Sequence, residues 1–140
     1  MRDQVNDLYP KRGLSPVSVA DNTAQVSQII DTAGFEALSW FIAAGSIADA
    51  DATFTVLLEE SAASDMSGSN AVADADLIGT EALASFIFSD DNKVFKLGYK
   101  GSKRYVRMTV TPSGNASDAV LCIIPVLGFP TSGPTANPPV

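Results

Sequence analysis

Histidine is absent from this 140-residue chain, cysteine and tryptophan occur once each, and no Lys or Arg lies between Gly13 and Asn92. Lack of histidine removes the commonest general base and the commonest metal ligand. The lone Cys122 can close no intrachain disulfide and build no thiolate metal site, and no imidazole is available to activate it. Set in the run Ala119-Val-Leu-Cys-Ile-Ile, it reads as a small buried hydrophobe. Trp40 lies in an apolar run and reads as core, so a sugar-binding cleft would lack its aromatic platform. Long hydrophobic runs are missing too. The longest apolar stretch, Phe35 to Ala48, is interrupted by Glu36, Ser39, Gly45 and Ser46 and is too short to span a bilayer. The first ten residues are polar and do not read as a signal peptide. These absences predict a soluble, cytoplasmically made protein with no catalytic residue, no metal, no cofactor and no membrane partner.

What is present is an unusual sorting of charge. Sixteen acidic residues against nine basic give a net charge of −7. Three of the basic residues, Arg2, Lys11 and Arg12, lie in the first twelve positions. The other six, Lys93, Lys96, Lys100, Lys103, Arg104 and Arg107, fall within fifteen consecutive positions. An acidic body with one basic ribbon can engage a partner, or a second copy, in a defined orientation. The overall negative charge argues against a nucleic-acid backbone as that partner.

Periodicity along the chain is two far more often than 3.6. Thr53 to Glu60, Lys93 to Lys100 and Lys103 to Thr111 alternate as strands, and Gln25 to Ile30 and Phe35 to Ala44 read the same way. A helix over Gly34 to Ala44 is the competing reading of that segment. Gly101-Ser102 is a two-residue turn signal, which predicts a hairpin carrying the basic ribbon. In its second arm Tyr105, Arg107, Thr109 and Thr111 share one face, and Val106, Met108 and Val110 share the other. Ala119 to Leu127 is apolar throughout and reads as a strand buried on both faces. Residues 61–75, rich in Ser, Ala, Asp and Gly, read as a mobile loop with one helical turn near Ala71 to Asp76. The predicted fold is all-β: an antiparallel β sandwich, jelly-roll-like, with extended N- and C-terminal arms. Its divisions are an arm over 1–16, the sandwich over 17–128 and a Pro-rich tail over 129–140, which could lie along a neighbouring subunit.

Candidate chemistry is sparse. The carboxylate pairs Asp49/Asp51, Glu59/Glu60, Asp74/Asp76 and Asp90/Asp91 lack the surroundings of a glycosidase site and the ligand spacing of a calcium loop, and read as solvated turns. Gly98 to Lys103 superficially suggests a phosphate cradle but has no helix N-terminus to complete it. The basic residues together with Phe95, Tyr99 and Tyr105 leave one alternative function open, an OB-like module for single-stranded nucleic acid.

The stretch Lys96-Leu-Gly-Tyr-Lys-Gly-Ser-Lys-Arg-Tyr-Val-Arg-Met-Thr-Val-Thr-Pro-Ser-Gly-Asn resembles a signature of small tailed-bacteriophage head proteins. The matches are Gly98 to Gly101, Lys103 to Arg107 and Thr111 to Gly114, followed by Gly128-Phe-Pro; Leu14-Ser-Pro-Val and Gly34-Phe-Glu-Ala-Leu resemble the family as well. The likeness is nearest to the capsid cement, or decoration, proteins. It implies a structural protein on the outer surface of an icosahedral HK97-like phage capsid, bridging neighbouring major capsid protein subunits and pairing with itself as dimers or trimers. The charge pattern allows both, and of the two the homodimer is the expectation here, ahead of the homotrimer. The expected capsid- or self-contact residues are the nine basic ones: Arg2, Lys11, Arg12, Lys93, Lys96, Lys100, Lys103, Arg104 and Arg107.

Overall fold

Alternating apolar residues sort the chain into two antiparallel sheets in the computed structural model, which describes residues 2–139. In chain order the strands are β1 (Leu8–Pro10), β2 (Leu14–Val19), β3 (Gln25–Val26), β4 (Ile30–Asp31), β5 (Phe35–Ile47) and β6 (Thr53–Ser61). Then follow β7 (Asn70–Ala71), β8 (Leu77–Ile78), β9 (Phe86–Ile87), β10 (Val94–Tyr99), β11 (Tyr105–Ser113) and β12 (Ala119–Pro130). A single-turn helix, α1 (Glu81–Ala84), lies between β8 and β9. One sheet has the order β1-β12-β5-β10-β8, with β2 also on β12; the other has the order β3-β11-β6-β7, with β4 on β11 and β9 on β6. The architecture is an antiparallel, jelly-roll-like sandwich.

One core fills the space between the sheets. Trp40, Ile42, Leu97, Leu121 and Ile123 come from the first sheet, and Phe54, Val56, Leu58, Val106 and Met108 from the second. All are at most 2% exposed, which removes nearly their whole apolar surface from water. Phe86 stacks between Phe54 and Phe95, at centroid distances of 4.7 and 5.1 Å, and so joins the two sheets through rings. Phe35 to Ile47 is a strand, not a helix, because every second residue from Leu38 to Ala44 faces this core.

Three sequence expectations are corrected. The expected hairpin at Gly101-Ser102 does not form: β10 belongs to the first sheet and β11 to the second, so residues 100–104 cross between sheets. Tyr99 explains why. Its ring is buried beneath the loop, its hydroxyl donates to Glu60 on the opposite sheet (2.6 Å) and accepts from the Lys103 amide (2.9 Å). A side chain at position 101 would meet that ring at 2.6 Å, so only glycine fits the corner.

Strand β12, expected to be buried on both faces, is buried on one. Ala119, Leu121, Ile123 and Leu127 point inward, while Val120 and Ile124 are 37% and 42% exposed. Cys122 shares that outward face and is half-buried rather than enclosed, because the two-residue period of the strand leaves it no inward position. Gln25 to Ile30 is the third correction, being two short strands and not one. The Ser27 hydroxyl between them accepts from the Met108 amide (3.0 Å) and takes the place of a ladder carbonyl.

The terminal segments lie against the sandwich. β1 and β2 pair with β12, and the Thr135 amide and hydroxyl donate to the Asn6 and Leu8 carbonyls at 2.8 and 2.7 Å. The loop after β6 is anchored by buried Met66 and by Ser61, whose hydroxyl donates to the Ser67 carbonyl (2.9 Å); its helical turn spans Asp74–Asp76.

Candidate functional site

The crossing between the sheets disperses the basic ribbon. Lys96 stands on the outer face of the first sheet, since β10 alternates with Phe95 and Leu97 directed inward. Arg107 stands on the outer face of the second sheet, opposite Glu59, and donates to its carboxylate at 2.8 Å. These two cations, eleven positions apart, are on opposite faces of the sandwich, with Lys100, Lys103 and Arg104 on or beside the corner that connects them.

Several of the nine basic residues are occupied within the chain. Arg104 forks onto Asp31 with both bonds at 2.8 Å, and its carbonyl accepts from the amide and hydroxyl of Thr32. The Arg104 guanidinium holds the Asp31 carboxyl below the usual carboxylate range, and the charge of Lys11 acts in the same direction. Lys11 also lies 5.1 Å over the ring of Tyr9. Arg12 reaches Ser15 at 3.5 Å. Lys93 pairs with Asp90 at 2.9 Å and keeps that carboxyl low. Among the described residues, Arg2, Lys96, Lys100 and Lys103 are exposed and form no ion pair. The structure thus ties Arg104 to Asp31, separates Lys96 from Arg107, and leaves three lysines of the ribbon available.

The carboxylates serve the fold. Glu81 accepts from the Leu58 amide (2.6 Å), Asp49 accepts from the amides of Asp51 and Ala116, and Glu60 holds Tyr99. Burial and the Glu60 carboxylate raise the Tyr99 phenol well above its ordinary range, so it stays a donor. No group of three or more metal-ligating side chains is found among the described residues. The cleft at the corner, lined by Thr32, Glu36, Tyr99 and Lys100, holds about 120 Å³, less than a cofactor-sized site requires. Two of the three aromatics expected for base stacking are withdrawn: Tyr99 is 6% exposed and Phe95 stacks on Phe86 inside the sandwich, while Tyr105 is half-buried beside Arg104.

Sequence reasoning missed the outer face of the first sheet. Register places Cys122, Ala43 and Val94 in one row across the sheet, and Ile124, Phe41 and Lys96 in the next. This face is mainly apolar, with Lys96, Ser39 and Ser18 among its polar side chains. The outer face of the second sheet instead carries Thr55, Thr109, Thr111 and the Arg107–Glu59 pair. The signal was available in the alternation of β5 and β10, but the unbroken apolar run of β12 masked it.

No protein-family model matches the chain, and no curated protein matches it. Among solved structures, the PBSX exported protein XepA superposes with a TM-score of 0.55 at 14% identity, over 85% of this chain. The match spans only 36% of that protein's length. The xylan-binding module CBM15 matches over 94% of this chain and 96% of its own, at 11% identity and a TM-score of 0.42. A chain of the cyanophage Pam1 capsid asymmetric unit matches over 89% and 83%, at 9% identity and a TM-score of 0.42. The likeness to XepA supports the sandwich fold.

Proposed function

We propose that this chain is a structural cement, or decoration, protein of a tailed-phage head, with no enzymatic activity. It binds the outer surface of an icosahedral HK97-like shell, bridges neighbouring major capsid subunits and associates with itself as a homodimer. Direct nucleic-acid binding is not part of this reading, because Phe95 and Tyr99 are turned inward. The observation that carries the proposal is the stretch Lys96 to Asn115, which resembles phage cement proteins, that of a Bordetella phage in particular. The structure adds a physical use for it. A glycine-dependent corner holds Lys100 and Lys103 rigidly at the joint of the two sheets, free of internal partners. Each such contact is modest, but repetition over a closed shell multiplies it.

The test is cosedimentation with capsids assembled from the major capsid protein of the phage that carries this gene. Reversing Lys96, Lys100 and Lys103 to Glu should release the protein from the shells and lower the temperature at which they burst. These lysines are better choices than Arg104 and Arg107, whose reversal would break the fold's own ion pairs. Full occupancy by the triple variant would overturn the assignment of these contacts, and failure of the parent protein to bind would overturn the function.

A further inference from the structure

Strand β10 has an edge that is only partly paired in the sheet, with α1 packed beside it. It is bonded along its length to β5, but on its other side β8 covers only Gly98 and Tyr99. The phase of the ladder is set by two bonds: the Ala44 amide donates to the Lys93 carbonyl (2.9 Å), and the Lys100 amide donates to the Asp76 carbonyl (2.9 Å). Residues 93, 95, 97 and 99 therefore bond toward β5, and residues 94, 96, 98 and 100 bond away from it. The amides and carbonyls of Val94 and Lys96 face the open side and have no partner among the described residues.

The opening has a local cause. Gly98 lets β8 approach, since a side chain there would stand 2.9 Å from the Ile78 Cβ. Immediately after Ile78 the chain leaves the sheet through Gly79, at φ +91°, and enters α1, where the Thr80 hydroxyl accepts from the Leu83 amide (3.1 Å). This turn stops β8 at two residues. It leaves a groove of about 520 Å³ along the edge, lined by Phe41, Ile78, Leu83, Val94 and Lys96. Ile78, Leu83 and Val94 are 63%, 74% and 68% exposed and line this groove beside the unpaired backbone.

We propose that this edge receives an extended segment of a partner protein that carries apolar side chains at alternate positions and a carboxylate opposite Lys96. Exchange with Val94 and Lys96 supplies four main-chain hydrogen bonds, and the apolar side chains of the incoming strand cover Ile78, Leu83 and Val94. The charge selects the occupant. Lys93 is already paired with Asp90, whereas Lys96 forms no ion pair among the described residues. A second copy is a poor fit, because twofold pairing of two β10 edges would gather Lys93 and Lys96 of both molecules along one seam between bodies of net charge −7. An edge lysine repels indiscriminate strand pairing and admits a strand that brings its own carboxylate. The proposal does not depend on the partner being a capsid subunit.

The probe is a fluorescein-labelled, end-blocked hexapeptide, Thr-Asp-Thr-Val-Thr-Val, whose Asp and Val side chains share one face, with a Lys-for-Asp version as control. In amide exchange followed by NMR, Val94 and Lys96 of the free protein should exchange quickly while Phe95 and Leu97 are protected, and the peptide should slow the first pair. Binding should weaken with salt. Val94→Pro removes one edge donor without touching the ladder to β5 and should lower affinity roughly five- to tenfold. Lys96→Glu should transfer preference to the lysine peptide. Protected Val94 and Lys96 amides in the free protein, or peptide binding that neither variant changes, would overturn the proposal. Self-association abolished by Val94→Pro would overturn it too, by giving the edge to a second copy. Peptide binding without capsid binding would leave this edge assigned and remove only the head-protein reading.

Discussion

At the scale of single residues, the chain uses its few basic groups in two ways, as internal ties and as free cations. Arg104 and Asp31 show the first use. Hydrogen bonding to Arg104 holds the Asp31 carboxyl below its unfolded value, so the native state binds the proton less readily than the unfolded chain does. The resulting stabilisation is complete above the unfolded carboxylate pKa, about 3.9, and is lost as the pH falls through the lower folded value. Asp31→Asn should therefore be less stable than the parent near neutral pH, with the gap closing as the pH falls below the unfolded carboxylate value of about 3.9. Thermal unfolding followed across this range checks it, and a gap independent of pH would contradict the linkage. Both partners are half-exposed, so solvent screening keeps the difference small.

Strands and their connections decide where those residues are presented. The corner over residues 100–104 depends on Gly101 lying against the Tyr99 ring, an approach no side chain can share. Gly101→Val should cost about 1–3 kcal/mol by urea unfolding, the range for forcing extra volume into a packed site. Shortening the obstacle with Tyr99→Leu in the same chain should make the valine less damaging than it is alone, and strictly additive costs would show that the two do not touch. Elements also explain two residues that look misplaced in the sequence. Cys122 is outward because a strand alternates regardless of how apolar its run is. Pro125 tolerates a position on β12 because its backbone faces the side where Lys11 follows β1, not the ladder to β5; the Lys11 amide donates to its carbonyl at 2.8 Å.

Across the whole molecule the two sheets share a single core, and this governs cooperativity. Ile123 is fully buried at the centre of β12, among side chains of both sheets. Ile123→Ala should cost about 2–5 kcal/mol, and near- and far-ultraviolet circular dichroism should report the same urea midpoint for the parent and the variant alike. Two separated transitions would mean that the sheets unfold independently. The molecule is also two-sided. One outer face is threonine-rich with an internal ion pair, and the other is mainly apolar with an unpaired lysine at a partly paired edge.

Much of the architecture was legible from local pattern. Alternation in Thr53 to Glu60 and in Tyr105 to Thr111 identified β6 and β11 and the faces they present, because a pleated strand imposes its period on sequence directly. Composition likewise pointed away from histidine and thiolate chemistry, and the interrupted apolar run of Phe35 to Ala48 became a half-buried strand. Local pattern does not record which sheet a strand joins. Gly101-Ser102 supports a hairpin and an inter-sheet corner equally well, and the choice was made by Tyr99 finding Glu60 across the sandwich. The same long-range decision placed Lys96 and Arg107 on opposite faces, matched Arg104 to Asp31 seventy-three positions away, and left the β10 edge open where α1 departs. The sequence by itself determined the strands, the core-facing residues and the supply of charge. Tertiary structure decided which charges remain free and where they point, since pairing across sheets depends on residues far apart in the chain that no local period connects.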